Sequence, residues 1–459
     1  MKSHQTDVLI IGAGIVGIAT AYYLKKLSSK LTVTIVDQLR PMSYTSAQSG
    51  ENYRNWWPHP VMQSFTGRSI KLMEDISLRI NDRISLTRRG YLLATRKKDF
   101  SDLVTEIESC YSNVLVSDSN KKKNIRFHSS VSRSQYTSPD SSRWQGAPDG
   151  VDFLEGSRLI NRYFPNLDPE INNIVHIRNA GMVDSQQMAT FMLECFKELG
   201  GKLLNGKVLK IDKTEKFIVS LDNNEASVRA TRVVDAAGPF INEFAHQLGL
   251  RLPVVNVLQQ KIAFPDTKNA IPRKLPFVID LDEQKIDWRQ EDKALFKEDP
   301  EFAWLADKFP GFIHCRPEGG DSANWVKLGW AYNESSTEAL LEPKLDEYYP
   351  EIVLRGAARL NPALKVYYDG LPRKMIHYGG YYTKTEENWP LIGKTDVEGF
   401  YLNGAMSGFG TMAACAGGEL CAQSILDLEL PEYSSVLSLE RYKDLEFMDD
   451  LSQYKTGIL

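Results

Sequence analysis

The 459-residue sequence predicts an α/β protein in two parts, a discontinuous α/β unit built on buried parallel strands and a second, mixed-sheet α+β unit. Three observations predict it. A glycine-rich strand-to-helix segment holding Gly12, Gly14 and Gly17 opens the chain, two further α/β blocks lie near residues 181–239 and 399–426, and strand-type alternation fills the stretches between.

Residues 8–11 (Val, Leu, Ile, Ile) read as a buried parallel strand. The G-x-G-x-x-G that follows lets the chain turn sharply, brings backbone N–H groups up to a pyrophosphate and packs helix on strand. The helix running on from Ile15 and Val16 aims its positive N-terminal end at the phosphates. Residues 30–37 read as the second strand. They end on Asp37, 20 residues past Gly17 and beside Gln38, where a carboxylate accepts hydrogen bonds from an adenosine ribose. An apolar run so near the N-terminus also suits a signal or membrane segment. A span needs about 20 apolar residues, interior glycines cost about 1 kcal/mol each relative to Ala, and no charged segment leads into a small-residue cleavage site. The dinucleotide reading is preferred.

A second βαβ-like block is expected from Gly181: Gly181 to Asp184, a helix over 185–199, a strand over 200–204 and another over 207–211. Residues 231–239 read as a buried strand running into a Gly238–Pro239 turn. The third block is a strand from Gly399, a turn rich in glycine (Gly404, Gly408, Gly410) and a helix of small residues over 411–426. Residues 86–95 and 251–264 alternate in strand fashion, and 311–332 holds two strands split by a turn over 317–322. The expected boundaries are 1–85, 181–250 and 371–459 for the nucleotide-binding domain, with 86–180 and 251–370 forming the other. Residues 117–150, rich in Ser, Lys and Pro, are expected to be a solvated insertion, and 278–309 a surface excursion.

Composition narrows the function classes. Hydrophobic residues at 42% and charged residues at 25% are those of a globular protein. A net charge of −4 argues against a nucleic-acid partner. Cys110, Cys195, Cys315, Cys415 and Cys421 are an odd number without C-x-x-C or zinc spacing. They predict no disulfide framework, no metal site and a reducing, cytoplasmic setting.

Four motifs in order carry a resemblance: Gly12, Gly14 and Gly17; Gly181 to Asp184 with Gly200 and Gly201; Val233 to Pro239; and Trp389 to Gly393 followed by Ser407, Gly408, Phe409 and Gly410. Together they resemble the D-amino-acid-oxidase-like family of FAD-dependent oxidoreductases, the group of sarcosine oxidase, glycine oxidase and dimethylglycine dehydrogenase. The resemblance implies FAD, a discontinuous Rossmann-like FAD-binding domain and a mixed-sheet substrate domain roofing the isoalloxazine. It implies that Val208 sets its backbone against the adenine, and that Ser46, Ser49 and Gly50 belong to a loop pressing on the flavin. Ala237 and Gly238 leave room for a ring system to approach backbone. Ser407 to Thr411, with Gly408, Phe409 and Gly410 between, offer N–H groups at a helix start to an electron-rich flavin edge.

Arg54 is the candidate for a substrate carboxylate, because guanidinium presents a planar donor fork; the alternative is an arginine that caps a helix or packs on Trp57. Lys327, in the run Trp325 to Trp330, resembles the sarcosine-oxidase lysine that lies above the flavin and helps dioxygen accept an electron; the alternative is a solvated strand lysine. Met412 stands where sarcosine oxidase has a second carboxylate-binding lysine, and Gly380 where it has its flavin-linking cysteine. Noncovalent FAD is therefore expected. Tyr53, Trp56, Trp57, Tyr381 and Tyr382 are candidates for an aromatic substrate pocket. His314 and His377 are weaker candidates for a base.

The expected activity is oxidation of a C–N bond of an amine or amino acid by hydride transfer to the flavin, with dioxygen reoxidising it. Two alternatives remain: a dehydrogenase that passes electrons to a quinone or carrier, and a non-enzymatic flavoprotein with an assembly role.

Overall fold

The computed structural model describes residues 2–112, 124–130, 135–222 and 226–454. Two large sheets dominate it. The first has eight strands. Its parallel centre runs from Lys202–Asn205 through Val33–Asp37, Lys2–Ile11 and Ala226–Asp235 to Phe400–Gly404. Val8, Leu9, Ile10, Val33, Ile35, Val233 and Val234 are buried, as strands covered on both faces require. Three sequence-distant segments supply these strands, and each is a short apolar run of the kind that is buried on both faces.

Helices Ile15–Leu27 and Gly410–Ile425 pack side by side on this sheet. Small residues allow the close approach: a Cβ on Gly418 would lie 2.6 Å from the Ala19 carbonyl carbon. Helices Pro60–Arg79 and Ser185–Glu198 complete the layer.

The second sheet has nine mixed strands, in the order Ile376–Lys384, Val255–Pro265, Trp325–Gly329, Ile313–Glu318, Phe277–Asp280, Tyr91–Thr95, Asn173–Ile177, Val151–Glu155 and Ile125–His128. One face buries Ile262, Phe264, Val326 and Leu328 against helix Tyr349–Leu360. The other face looks towards the first sheet.

Four expectations change. Strand Ile376–Lys384 joins the nine-stranded sheet by pairing with Val255–Pro265, although the sequence assigned it with the C-terminal nucleotide-binding segment. Ala180–Met182 pairs antiparallel with Asn52–Arg54 in a separate two-stranded sheet, so the block from Gly181 is no βαβ unit. Part of the polar insertion forms the edge strand Ile125–His128, because Asp152 on the neighbouring strand binds Arg126 and His128; residues 117–123 and 131–134 of it lie outside the described residues. The stretch 278–309 is not a mere surface excursion: Trp288, Phe296, Leu305 and Phe309 are buried in the core beside helix Tyr349–Leu360. Among the described residues, no helix is long and apolar enough to cross a membrane.

Candidate active site

A long cleft runs between the parallel sheet and the nine-stranded sheet. Its floor begins at the first strand's end. Gly12 holds φ at +106°, and a Cβ there would lie 2.4 Å from the Ala236 carbonyl oxygen, so only glycine fits the turn. Gly14, Ile15 and Val16 line the cleft at the helix start, where Ile15 N–H donates to Ser46 Oγ at 3.0 Å. Gly17 lies outside the lining. A Cβ on it would stand 2.0 Å from the Gly12 carbonyl oxygen, so its part is close helix–strand packing.

Asp37, Gln38 and Val208 line one end of the cleft. The Asp37 carboxylate accepts from Ala13 N–H at 2.6 Å and from Leu39 N–H at 2.8 Å. Burial still pushes its pKa above the ordinary carboxylate value, with those bonds opposing. Ala237 and Gly238 follow along the wall. Next to them the buried Asp235 accepts from Ala237 N–H at 3.1 Å, and burial drives its pKa well up.

At the far end lie Ser46, Ser49, Gly50, Gly380, Tyr381, Gly404, Ser407, Gly408, Gly410 and Thr411. Ala405, Ser407 and Gly408 all take positive φ, so the chain before helix Gly410–Ile425 is a tight, strained turn. Ser407 N–H donates to the Thr383 carbonyl at 2.9 Å and Phe409 N–H to Met406 at 2.7 Å, so neither is free for a ligand. The Phe409 side chain is a correction to the expected cofactor contact: it is buried edge-on against Trp57, with centroids 4.8 Å apart, outside the cleft lining. Gly408, Gly410 and Thr411 remain at the helix start, where Thr411 Oγ1 lies 2.8 Å from Ser49 Oγ and joins the turn to the loop.

The nine-stranded sheet supplies the roof. Register pairs Lys261 with Gly329, Ala263 with Lys327 and Arg316 with Lys327, so Lys261, Lys327, Arg316 and Glu318 share one face. Lys327 is buried on that face but does not line the cleft. Its ammonium lies 3.1 Å from Glu318, whose carboxylate also takes Arg316 at 2.8 Å. Burial first and then the Arg316 charge pull the Lys327 pKa down to about 8, against the pull of Glu318. Burial would raise the Glu318 pKa, but the two cations hold it below its ordinary value. The solvated-strand alternative for Lys327 is thereby removed.

Arg54 is also buried and outside the cleft lining, with its guanidinium 5.3 Å from the Trp56 ring, 5.5 Å from Trp57 and 6.0 Å from Tyr91. Burial lowers its pKa to about 10, which leaves it charged at neutral pH. Its backbone N–H donates to Met412 Sδ at 3.1 Å, so the methionine that replaces a second cation sits beside the first. Trp56 packs in the apolar cluster with Tyr91 and Phe277, not on the cleft wall. Tyr53 points away from both, into the core, and donates to the Thr87 carbonyl; strand alternation puts it opposite Arg54. Tyr381 lines the cleft, with its hydroxyl accepting from Leu340 N–H at 3.0 Å. His314 is fully buried with its pKa pulled down to about 3 by burial and Lys261, and His377 contacts Gln260, so neither is poised as a base.

Sequence reading missed Lys261, Tyr91, Arg316 and Glu318. Alternation marked their strands but did not say which face meets the cleft.

Parallel βαβ topology, a glycine turn under a helix start and an acid at the second strand's end define a dinucleotide-binding architecture. The model of the FAD dependent oxidoreductase family matches residues 7–424, and the chain belongs to that family. Solved structures agree on the fold. L-proline dehydrogenase from P. horikoshii superposes with a TM-score of 0.70 at 19% identity, covering 96% of this chain and 99% of that one. Glycine oxidase from Geobacillus kaustophilus gives 0.69 at 16%, covering 95% and 99%, and iminodiacetate oxidase from Chelativorans sp. BNC1 gives 0.65 at 18%, covering 95% and 98%. No curated protein matches the chain in sequence.

The protein is thus an FAD-dependent enzyme. The residues fit the cofactor: the Gly12 turn has no room for a side chain, and an uninterrupted cleft joins Asp37 to the turn before helix Gly410–Ile425.

Proposed function

We propose that the enzyme oxidises the C–N bond of an amino acid or related amine that carries a carboxylate, with dioxygen as electron acceptor. The observation that carries this reading is Arg54, a buried guanidinium enclosed by Trp56, Trp57 and Tyr91. A guanidinium presents a planar donor fork, and that fork suits a carboxylate. The fold neighbours, which include an L-proline dehydrogenase, a glycine oxidase and an iminodiacetate oxidase, support the same class.

FAD, held by the Gly12 turn, Asp37 and the turn before helix Gly410–Ile425, would supply the hydride acceptor for oxidation of the C–N bond. This chain's residues do the rest. Arg54, behind the cleft lining, would orient the substrate by its carboxylate, and the Trp56, Trp57 and Tyr91 rings around it exclude water. Glu318 binds both Lys327 and Arg316 behind the cleft wall and so fixes the strands that form the roof. Noncovalent FAD is supported by Gly380, which offers no nucleophile at the cleft wall. Five buried free cysteines support a cytoplasmic setting.

The test is a panel of α-amino acids, N-methyl amino acids and cyclic imino acids mixed anaerobically with the enzyme, followed by air. Bleaching of the flavin by a carboxylate-bearing member, and rapid return of colour in air, is the expected result. Bleaching only by amines without a carboxylate removes the Arg54 role. Slow return in air makes the enzyme a dehydrogenase, and no bleaching at all favours an assembly role.

A further inference from the structure

Among the described residues, Lys261 is the one roof cation that reaches the cleft itself. It is 6% exposed, and its Nζ meets the Tyr382 hydroxyl at 3.4 Å and the Tyr382 ring at 5.3 Å from the centroid. Its Cε lies 3.8 Å from where a Cβ on Gly50 would stand, so the side chain lies along the loop wall. Among the described residues its ammonium has no carboxylate partner. Lys327, diagonal to it across the paired strands, is bound to Glu318 and lines no part of the cleft. Two buried lysines on one face are therefore in different states, one neutralised inside the protein and one aimed into the cofactor's cleft.

A buried ammonium is tolerated when an anion answers it. The cleft's wall at this place is Gly50, Tyr382, Ser407 and Gly408, without a side-chain carboxylate among them. An isoalloxazine that has taken up a hydride carries one negative charge, and the same charge builds when any nucleophile adds its electron pair to the ring. We propose that Lys261 is the counter-charge to the electron-rich flavin, and that Lys327 acts as a positioning residue that, with Glu318 and Arg316, fixes the two strands beside the one from which Lys261 projects. This rests on FAD occupying the cleft, not on the identity of the substrate.

Sulfite tests it without any substrate. Its sulfur lone pair forms a bond to the flavin ring and leaves the ring negatively charged, and titration is read as loss of the yellow absorbance. With FAD-loaded protein, Lys261→Met is expected to weaken sulfite binding roughly tenfold or more, and Lys261→Arg to restore it to within about threefold of wild type. Lys327→Met is expected to weaken it less than Lys261→Met. The proposal is overturned if Lys261→Met binds sulfite as wild type does, if Lys261→Arg fails alongside Lys261→Met, or if Lys327→Met carries the larger loss. A protein that takes up sulfite normally but oxidises no amino acid would fail the functional reading and leave this one standing.

Discussion

The guanidinium of Arg316 donates a hydrogen bond to the carbonyl oxygen of Gly50 at 2.7 Å, and so ties the roof sheet to the loop that lines the cleft. The same guanidinium reaches Glu318 and the Met182 sulfur, so one buried side chain joins the nine-stranded sheet to the two-stranded sheet and its loop.

Replacing Arg316 by Met is expected to cost about 3 kcal/mol of folding stability, because it leaves the Gly50 carbonyl without its donor and Glu318 with one cation instead of two. FAD should also dissociate at least about tenfold more readily once the loop is loosened. Urea unfolding and flavin fluorescence check the two effects; an unchanged midpoint would mean that the bond contributes nothing.

Gly14→Val should yield folded apoprotein. A Cβ at Gly14 would already lie 3.1 Å from Ser46 Oγ, the acceptor for Ile15 N–H, and the valine methyls then stand where backbone must approach a pyrophosphate. Circular dichroism near that of wild type, with flavin content close to zero, is the expected pair of results.

Acid precipitation of wild-type protein should release intact FAD into the supernatant. Gly380 lines the cleft, and the five cysteines are buried elsewhere: none is among the cleft-lining residues. Flavin that stays with the pellet would show a covalent link through another residue.

Lys327 predicts a pH dependence of stability. Its pKa falls from 10.5 to about 8 on folding, chiefly through burial, so between those values the unfolded chain binds the extra proton. The penalty of burying the charge is in full force below pH 8 and is relieved as pH rises towards 10.5, by up to about 3 kcal/mol. Stability of wild type relative to Lys327→Met should therefore increase over that window. Urea melts of both proteins at pH 7, 9 and 10 measure it, and a difference that stays flat would refute the shift.

The glycine turn, Asp37, the glycine-rich turn before helix Gly410–Ile425 and the strand alternation of the roof were legible in the sequence, because each is a local pattern. Glycine is required where backbone closes on backbone, an acid where a second strand ends, and alternation where one face of a strand is buried. Tertiary structure alone decided the rest. Lys261, Arg316, Glu318 and Lys327 come from three strands whose antiparallel register makes them neighbours, and Arg54 meets Tyr91 only because Asn52–Arg54 folds under the same sheet. The period of a strand says which residues share a face; only the pairing partner and the layer beneath decide which face looks onto the cofactor and which charge is already answered inside the protein.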